Sequence, residues 1–303
     1  MLDVTTKSRI NSARDILVGK VPNPISQVQQ ITFALIYKFM NDMDKQAVEL
    51  GGERSFFRGN LEQYAWDKLI SNKVEANPAL ALYSKGLEEL AIAENIPPLF
   101  RTIFKNASIP YRDGVTFKSF IKIIDEFHYS HSEKLGDAFE FLLSVLGSQG
   151  DAGQFRTPRH IIDFMVELID PKKNETVLDP ACGTAGFLIS AYKHIIKNNS
   201  ANYNPETDKR AFEMHAGSVT EIGYGDENKQ YKGDKLKPDE RIELNKNISG
   251  YDISPEMVEF SLVNFYLHQC PNPKIFEYDS LTSVDRWNEN ADVYRSCFKN
   301  CLF

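Results

Sequence analysis

The run at residues 176–188, Thr-Val-Leu-Asp-Pro-Ala-Cys-Gly-Thr-Ala-Gly-Phe-Leu, constrains the fold more than any other part of this sequence. It begins with a short β-branched and apolar stretch, passes through Asp179 and a turn of small residues, and continues into apolar residues at helical spacing. Those apolar residues are Leu188, Ala191, Tyr192 and Ile195. The order predicts a buried strand, a tight turn and an amphipathic helix, a combination typical of an α/β sheet.

The turn between that strand and helix has the composition of a ligand-binding turn. Ligands of open α/β sheets bind at the carboxyl ends of the strands, and Gly183, Ala185 and Gly186 remove side-chain bulk that would keep a ligand from the backbone. A phosphate loop is excluded, because no Lys-Ser or Lys-Thr follows the glycines. A turn that only packs a helix on a sheet would explain the glycines but not Asp179 and Pro180. We therefore expect a nucleoside site.

A second candidate segment, residues 154–159, lies upstream of that turn at the start of a predicted helix. Thr157 is predicted to cap the helix and Pro158 to occupy its first position. One apolar stripe is predicted to be buried: Ile161, Phe164, Met165 and Leu168. Exposed N–H groups and the helix dipole favour a carboxylate at such a helix start. An ordinary capped helix shows the same local pattern. The position of this segment ahead of the Asp179 turn nevertheless favours the functional interpretation, in which the helix start binds a carboxylate.

Two further strands are predicted to end in acids. Residues 248–252 end in Asp252, at a position where a carboxylate can accept two hydrogen bonds from ribose hydroxyls. Ser254 is predicted to cap the next helix. That helix is predicted to bury one face, formed by Val258, Leu262, Phe265 and Tyr266. Residues 274–279 form the third strand and end in Asp279, which is either a ligand-binding acid or a turn residue.

The first 146 residues predict helices and hardly any strand. An apolar stripe predicts one helix that ends at Gly51 and Gly52, Asn60 is predicted to cap the next, and residues 117–127 and 139–146 predict two more. The stripe consists of Val28, Ile31, Leu35 and Phe39. Since burial alone demands this spacing, we interpret the stripes as core rather than as a docking groove.

The glycine-rich joint at residues 147–153 predicts a domain boundary between residues 148 and 149. It separates a helical domain, 1–148, from an α/β domain, 149–303. Within the second domain, residues 198–247 form a long polar insertion that ends in a helix at 238–244. The insertion is either a mobile segment over the ligand cleft or a solvated surface loop.

Composition limits the classes of function. The chain of 303 residues has a formal net charge of −7, which argues against a protein that binds DNA unaided, because duplex binding depends on Lys and Arg. The four cysteines, with no Cys-x-x-Cys pair and no nearby histidine at metal-ligand spacing, predict reduced thiols and no metal site. The sequence has no apolar run long enough for a membrane span and no secretion signal, so we expect a cytoplasmic protein.

The motif Asp-Pro-Ala-Cys-Gly-Thr-Ala-Gly-Phe-Leu, preceded by Gly-Gln-Phe-Arg-Thr-Pro-Arg, resembles the modification (methyltransferase) subunit of type I restriction-modification systems. That family methylates the N6 amino group of adenine in DNA. The resemblance implies a helical N-terminal domain followed by the cofactor-binding half of a Rossmann-like, S-adenosylmethionine-dependent methyltransferase sheet. It also implies that DNA, the specificity and restriction subunits and a second modification subunit are partners.

The resemblance implies a role for each candidate residue. Residues 154–159 hold the methionine end of S-adenosylmethionine, and Asp279 binds the adenine amino group of the cofactor. The implied cofactor-binding set is Gln154, Phe155, Arg156, Thr157, Pro158, Arg159, Asp179, Gly183, Thr184, Ala185, Gly186, Asp252, Ile253 and Asp279. The helical region is implied to contact DNA and the specificity subunit.

The sequence departs from the family pattern after residues 291–293. The family has a strand that ends in Asn-Pro-Pro-Phe or Asn-Pro-Pro-Tyr and holds the flipped adenine, and this motif occurs nowhere in the 303 residues. Asn300 is followed by Cys301 and cannot replace it. We therefore expect a chain that is truncated or shifted in reading frame and inactive alone, and that either aggregates, dimerises through the unpaired edge of its central strand or is completed by a separate C-terminal fragment. The alternatives are a non-catalytic fragment that binds the cofactor or only partner subunits, and a protein-glutamine methyltransferase.

Overall fold

The computed structural model describes residues 4–127, 132–148, 157–208, 211–215, 218–223, 229–270 and 272–281. They form two compact units, one on each side of the interval 149–156. The boundary between residues 148 and 149 lies at the start of that interval and stays a prediction. Gly147 and Ser148, which the sequence assigns to the joint, belong to the preceding helix instead. No helix in the described part of the chain combines the length and apolar character needed to cross a membrane.

The described residues of the first unit are helical and contain no β-sheet, as the sequence predicts. A 3₁₀ helix, Gly59–Tyr64, lies between the second and third α-helices. The α-helices are α1 Val4–Leu17, α2 Pro24–Glu49, α3 Trp66–Ile70, α4 Ala76–Ile92, α5 Pro98–Phe104, α6 Gly114–Asp125 and α7 Ser132–Ser148.

Helix α2 is the long central element of this unit. The Asn23 side chain accepts the Ser26 N–H at 2.8 Å, and Pro24 occupies the first helical position. The helix ends at Glu49, next to Gly51, whose φ of 83° no continuing helix could adopt. All four residues of the predicted apolar stripe are buried. Both the helix and its end are confirmed.

The prediction for Asn60 is wrong. Asn60 lies inside the 3₁₀ helix, whose N-cap is Arg58, and it caps no α-helix. The hydroxyl of Tyr37 donates to the Tyr64 carbonyl at 2.6 Å, and Ala65 adopts extended ψ, so the helical path breaks before Trp66. The fixed path of the chain therefore overrides a local capping signal.

Asp44 anchors the loop that follows α2. Its side chain is buried, and its carboxylate accepts three backbone N–H groups, from Ser55 at 2.7 Å, Phe56 at 3.0 Å and Phe57 at 2.7 Å. The aromatic rings of Phe56 and Phe57 are thereby held in the core. Since the loop has no regular structure, a single carboxylate replaces the hydrogen bonds that a helix or sheet would supply.

The second unit contains a parallel sheet with helices between its strands. The strands of this sheet are β1 Val177–Asp179, β4 Ile248–Asp252 and β5 Lys274–Glu277, in the order β1-β4-β5. An antiparallel hairpin, β2 Ala211–His215 and β3 Ser218–Gly223, lies in the polar insertion. The helices are α8 Arg159–Ile169, α9 Gly186–Asn198, α10 Pro205–Asp208, α11 Pro238–Asn247 and α12 Pro255–Leu267. The three predicted strands of the sheet are present.

A glycine lets α9 lie directly on β4. A Cβ atom at Gly250 would lie 2.7 Å from Leu188 Cδ1 and 2.9 Å from Ile275 Cδ1, both closer than carbon atoms approach. The residues of α9 that the sequence assigns to its apolar face are all buried. The glycine turn that precedes α9 is therefore held close to the end of β4.

Helix α8 buries a different face from the predicted one. Leu168 is 73% exposed, whereas Ile162, Asp163 and Val166 are buried. Asp163 is buried because it accepts the Ser190 hydroxyl of α9 and pairs with Arg159, with 3.2 Å between the Arg159 Nε and an Asp163 oxygen. Apolar periodicity alone could not reveal that a charged residue faces the neighbouring helix.

The polar insertion contains the β2–β3 hairpin, which the sequence does not predict. Phe212 of the hairpin packs edge-on against Phe164 of α8, with 5.4 Å between ring centroids. The helix predicted at its end is confirmed and extends to Asn247. The described residues test neither interpretation of the insertion, a mobile segment over the ligand cleft or a solvated surface loop, and both stay predictions.

Helix α12 is buried on almost every side, not on one face only. Ser254 caps it as predicted, with the Met257 N–H 3.3 Å from the Ser254 hydroxyl. Every residue from 257 to 265 is buried, and the helix packs against both β4 and β5. Three of these residues, Glu259, Ser261 and Asn264, are polar.

Candidate functional site

Three aspartates lie where the three parallel strands end. Asp179 is the last residue of β1 and Asp252 the last of β4, whereas β5 ends at Glu277, two residues before Asp279. The prediction that Asp279 ends its strand is therefore wrong, since it lies in the turn beyond. Parallel neighbouring strands end at the same edge of a sheet, so the sequence-predicted acids share that edge.

The turn at residues 180–185 joins β1 to α9 at this edge. Gly183 has φ of 54°, and a Cβ atom there would meet no heavy atom within 4 Å, so this side of the turn is open. Ala185, the N-cap of α9, is also left-handed, with φ of 63°, which is rare for a residue with a side chain. Gly186 has another role, because a Cβ atom there would lie 3.1 Å from Ile162 Cδ1 of α8.

Asp252 holds the turn from the end of β4. One carboxylate oxygen accepts the Gly183 N–H at 2.8 Å and the other accepts the Ser254 N–H at 2.9 Å. Each oxygen has a second acceptor position, so the half-buried carboxylate can still bind a ligand. Ile253, the next residue, is 68% exposed and presents an apolar side chain at the same edge.

Asp179 is the most buried acid of the site. Its carboxylate accepts the Ala181 N–H at 3.1 Å, and its side chain is almost inaccessible to solvent. The pKa of Asp179 is raised to about 6, mainly by burial and also by the negative charge of Asp252, against the lowering effect of that hydrogen bond. Two carboxylates therefore lie close together, and in the described part of the chain the hydrogen bonds they accept come from backbone N–H groups.

Asp279 is kept beside the same turn by the residue that follows it, Ser280. The Ser280 hydroxyl donates to the Pro180 carbonyl at 2.6 Å, which ties the end of the third strand to the glycine turn. The Asp279 carboxylate accepts the Leu281 N–H at 3.0 Å, as a turn residue does. One carboxylate oxygen serves this turn, which leaves acceptor positions for a ligand.

The start of α8 lies against the start of α9, through the contact of Ile162 with Gly186 and the Asp163–Ser190 hydrogen bond. Thr157 is not the N-cap, because Pro158 occupies that position and offers no capping side chain. Thr157 and Pro158 are exposed and Arg159 is half-buried. Gln154, Phe155 and Arg156 lie outside the described residues, as do residues 291–293, Asn300, Cys297 and Cys301.

Two residues of α12 that the sequence analysis missed complete the turn. The Ser261 hydroxyl donates to the Gly183 carbonyl at 2.7 Å, and the Asn264 amide donates to the Thr184 carbonyl at 3.0 Å. The Cys182 N–H donates to the Tyr251 carbonyl at 2.8 Å. The sequence signal of Ser261 and Asn264 is that two small polar residues occur, three apart, in a stretch from 257 to 265 that is apolar except for Glu259.

Comparison with known proteins identifies a family and several relatives. The family described as N-6 DNA Methylase matches residues 130–294. The methylase subunit of the type I restriction enzyme EcoEI from Escherichia coli is 41% identical over 210 residues, which are 64% of this chain and 42% of that protein. The EcoKI methylase subunit from Escherichia coli K12 is 29% identical over 58% of this chain and 33% of its own. The match therefore spans less than half the length of these curated relatives.

A solved structure has the same fold. The methyltransferase subunit of a type I restriction-modification system from Streptococcus thermophilus superimposes with a TM-score of 0.62 and 13% identity. The superposition covers 96% of this chain and 61% of that one. The likeness extends over both the helical unit and the α/β unit, so the predicted fold class is confirmed.

Proposed function

Because this chain belongs to the N-6 DNA methylase family, whose members transfer a methyl group from a donor, we propose that it is the modification subunit of a type I restriction-modification system. The proposed activity is methylation of adenine N6 in DNA, with S-adenosylmethionine as the donor. The observation that carries the proposal is the meeting of a left-handed glycine turn with three aspartates at one sheet edge.

The residues at this edge fit the chemistry of S-adenosylmethionine. Asp252 has free acceptor positions for the ribose hydroxyls, the exposed Ile253 offers an apolar surface to the adenine, and Asp279 is assigned to its amino group. Residues 154–159, at the start of α8, are assigned to the methionine end. Gly183 leaves open space next to the backbone of the turn. The fit involves every element that meets at the edge.

Charge provides a second argument for this cofactor. S-adenosylmethionine carries positive charge on its sulfonium and amino groups, whereas Asp179 and Asp252 form a buried to half-buried acidic pair. A cation near this pair would offset the cost of placing two carboxylates together. When bound, the cofactor supplies the methyl group, and these side chains bind and orient it.

The net charge of the chain fits a subunit that shares DNA binding with partners. With a formal charge of −7, the chain has little general attraction for the phosphate backbone. We propose that the specificity subunit, the restriction subunit and a second modification subunit assemble with it, and that DNA is held mainly by other parts of that complex. The helical unit is the region of this chain that is proposed to contact the specificity subunit and DNA.

Replacement of Asp252 by Ala is expected to weaken binding of S-adenosylmethionine at least tenfold, because charged hydrogen bonds to the ribose are lost. Isothermal titration calorimetry with the full chain measures this. S-adenosylhomocysteine carries the same ribose and should lose affinity equally. Asp239→Ala, an exposed acid of α11, makes the same charge change and should bind like the wild type. Absence of binding by the wild type would refute the proposed cofactor, and unchanged affinity of Asp252→Ala would refute the ribose assignment.

A further inference from the structure

Helix α12 buries three polar side chains between residues 257 and 265, and two of them, Ser261 and Asn264, donate hydrogen bonds to the glycine turn. Ser261 is 0% and Asn264 2% exposed, in a helix surrounded by apolar residues. Burial of polar groups costs free energy unless they form hydrogen bonds. Ser261 and Asn264 lie three residues apart on one face of the helix, and both donate to the glycine turn. The hydrogen-bonding capacity of this face is therefore directed at the turn.

Gly183 is held on both sides. Its N–H donates to Asp252 and its carbonyl accepts the Ser261 hydroxyl, while the next carbonyl, of Thr184, accepts from Asn264. The turn contains two left-handed residues: Gly183 adopts this conformation freely because it has no side chain, whereas Ala185 keeps it only when surrounding contacts enforce it. These contacts come from β4 and α12, which fix the direction of the peptide groups of the turn.

Asn264 also keeps an unfavourable feature. Its side-chain oxygen is buried and has no hydrogen-bond partner among the described residues. A leucine of similar size would avoid this cost. The presence of an amide at this position is best explained by the donor that it gives to the Thr184 carbonyl.

We propose that Ser261 and Asn264 are positioning residues for the cofactor: they contact no ligand, and they set the conformation of the turn that binds it. The inference rests on the proposed function. It assigns the pre-organisation of the site to α12, in addition to the aspartates at the strand ends. A relaxed turn would have to be ordered again on each binding event, at a cost in affinity.

Asn264→Leu separates positioning from stability. The variant leaves one buried acceptor unpaired, the Thr184 carbonyl, and removes another, the Asn264 oxygen, so Tm should remain within a few degrees of the wild type. The Kd for S-adenosylmethionine should nevertheless rise about tenfold. The Kd for S-adenosylhomocysteine, which lacks the charge on sulfur, should rise by the same factor, because the effect is conformational.

Ser261→Ala provides an independent variant, with the same expected rise in Kd and a smaller change in volume. Leu262→Ala, on the same helix, is the matched control: it should lower Tm by several degrees and leave the Kd of the folded protein unchanged. If the wild type binds the cofactor and Ser261→Ala binds it equally well, the inference is wrong while the proposed function stands. If the wild type does not bind it, the proposed function itself fails.

Discussion

Asp179→Asn is expected to stabilise the unliganded chain at pH 7.5 by about 2 kcal/mol and to weaken its binding of S-adenosylmethionine. The pKa of Asp179 rises from 3.8 to about 6, mainly through burial. At pH 7.5 the folded protein therefore carries a buried carboxylate whose ionisation opposes folding by roughly 3 kcal/mol. Asn keeps the oxygen that accepts the Ala181 N–H and removes the charge, while its unpaired amide reduces the gain.

The pH dependence has a definite sign. Because the folded-state pKa is raised, the contribution of Asp179 to stability is fully present below about pH 4 and is lost as the pH rises through about 6. The advantage of Asp179→Asn should therefore shrink as the pH falls from 7.5 to 4.5. Thermal unfolding across this range measures it, with Asp239→Asn as a control that should follow the wild type. A variant less stable than the wild type at pH 7.5, or a difference independent of pH, would contradict the prediction.

Calorimetry at pH 7.5 completes this experiment. Loss of the carboxylate removes half of the acidic pair, so the Kd for S-adenosylmethionine should rise about tenfold, which corresponds to about 1.4 kcal/mol. Stability and affinity then change in opposite directions at one position. Opposite changes of this kind are expected when a buried carboxylate lowers stability but contributes to ligand binding. If Asp179 were purely structural, its replacement by Asn would lower stability instead.

Asp44→Ala is expected to lower the free energy of unfolding of the helical unit by about 3–5 kcal/mol. Three backbone N–H groups of one loop lose their acceptor, and the two phenylalanines beside them are no longer held in the core. Urea unfolding followed by circular dichroism gives the size of the effect. Amide hydrogen exchange at Ser55, Phe56 and Phe57 locates it, because these N–H groups should lose protection first.

Asp67→Ala is the control for this change. Asp67 pairs with Lys45 at 2.6 Å on the surface of the same unit, with both side chains more than a third exposed. Exposed ion pairs contribute about 0–1 kcal/mol, so the control should unfold almost like the wild type. If Asp44→Ala behaves like Asp67→Ala, the loop is held by contacts other than the Asp44 carboxylate.

The parts of the site that could be predicted from the sequence are those whose functional residues lie next to a recognisable strand, turn or helix start. Asp179, Gly183 and Asp252 each lie at or beside the end of a strand, and a strand, a turn and an acid are all local signals. Ser254 is likewise a local cap, formed within one turn of helix. These features could be predicted because each depends on a few neighbouring residues.

The features that were missed depend on residues far apart in the chain. Helix α8 is apolar on two faces, and the face that is buried is the one that contacts α9, through Ile162 against Gly186 and through the Asp163–Ser190 hydrogen bond. The roles of Ser261 and Asn264 depend on the turn to which they donate, and periodicity says nothing about such a partner. Asn60 shows the same limit, since a local capping signal lost to the path imposed by Tyr37 and Tyr64.

The contacts that hold the glycine turn also determine when the site can form during synthesis. Gly183 leaves the ribosome 69 residues before Asp252 and 78 before Ser261, and Thr184 leaves it 80 before Asn264. Contacts at such separations form late, because the loop between them must first be closed. For that interval of translation the nascent chain has the strand and the turn without the groups that hold them. Under the proposed function, binding of S-adenosylmethionine is therefore expected to stabilise the protein only after α12 has emerged and docked.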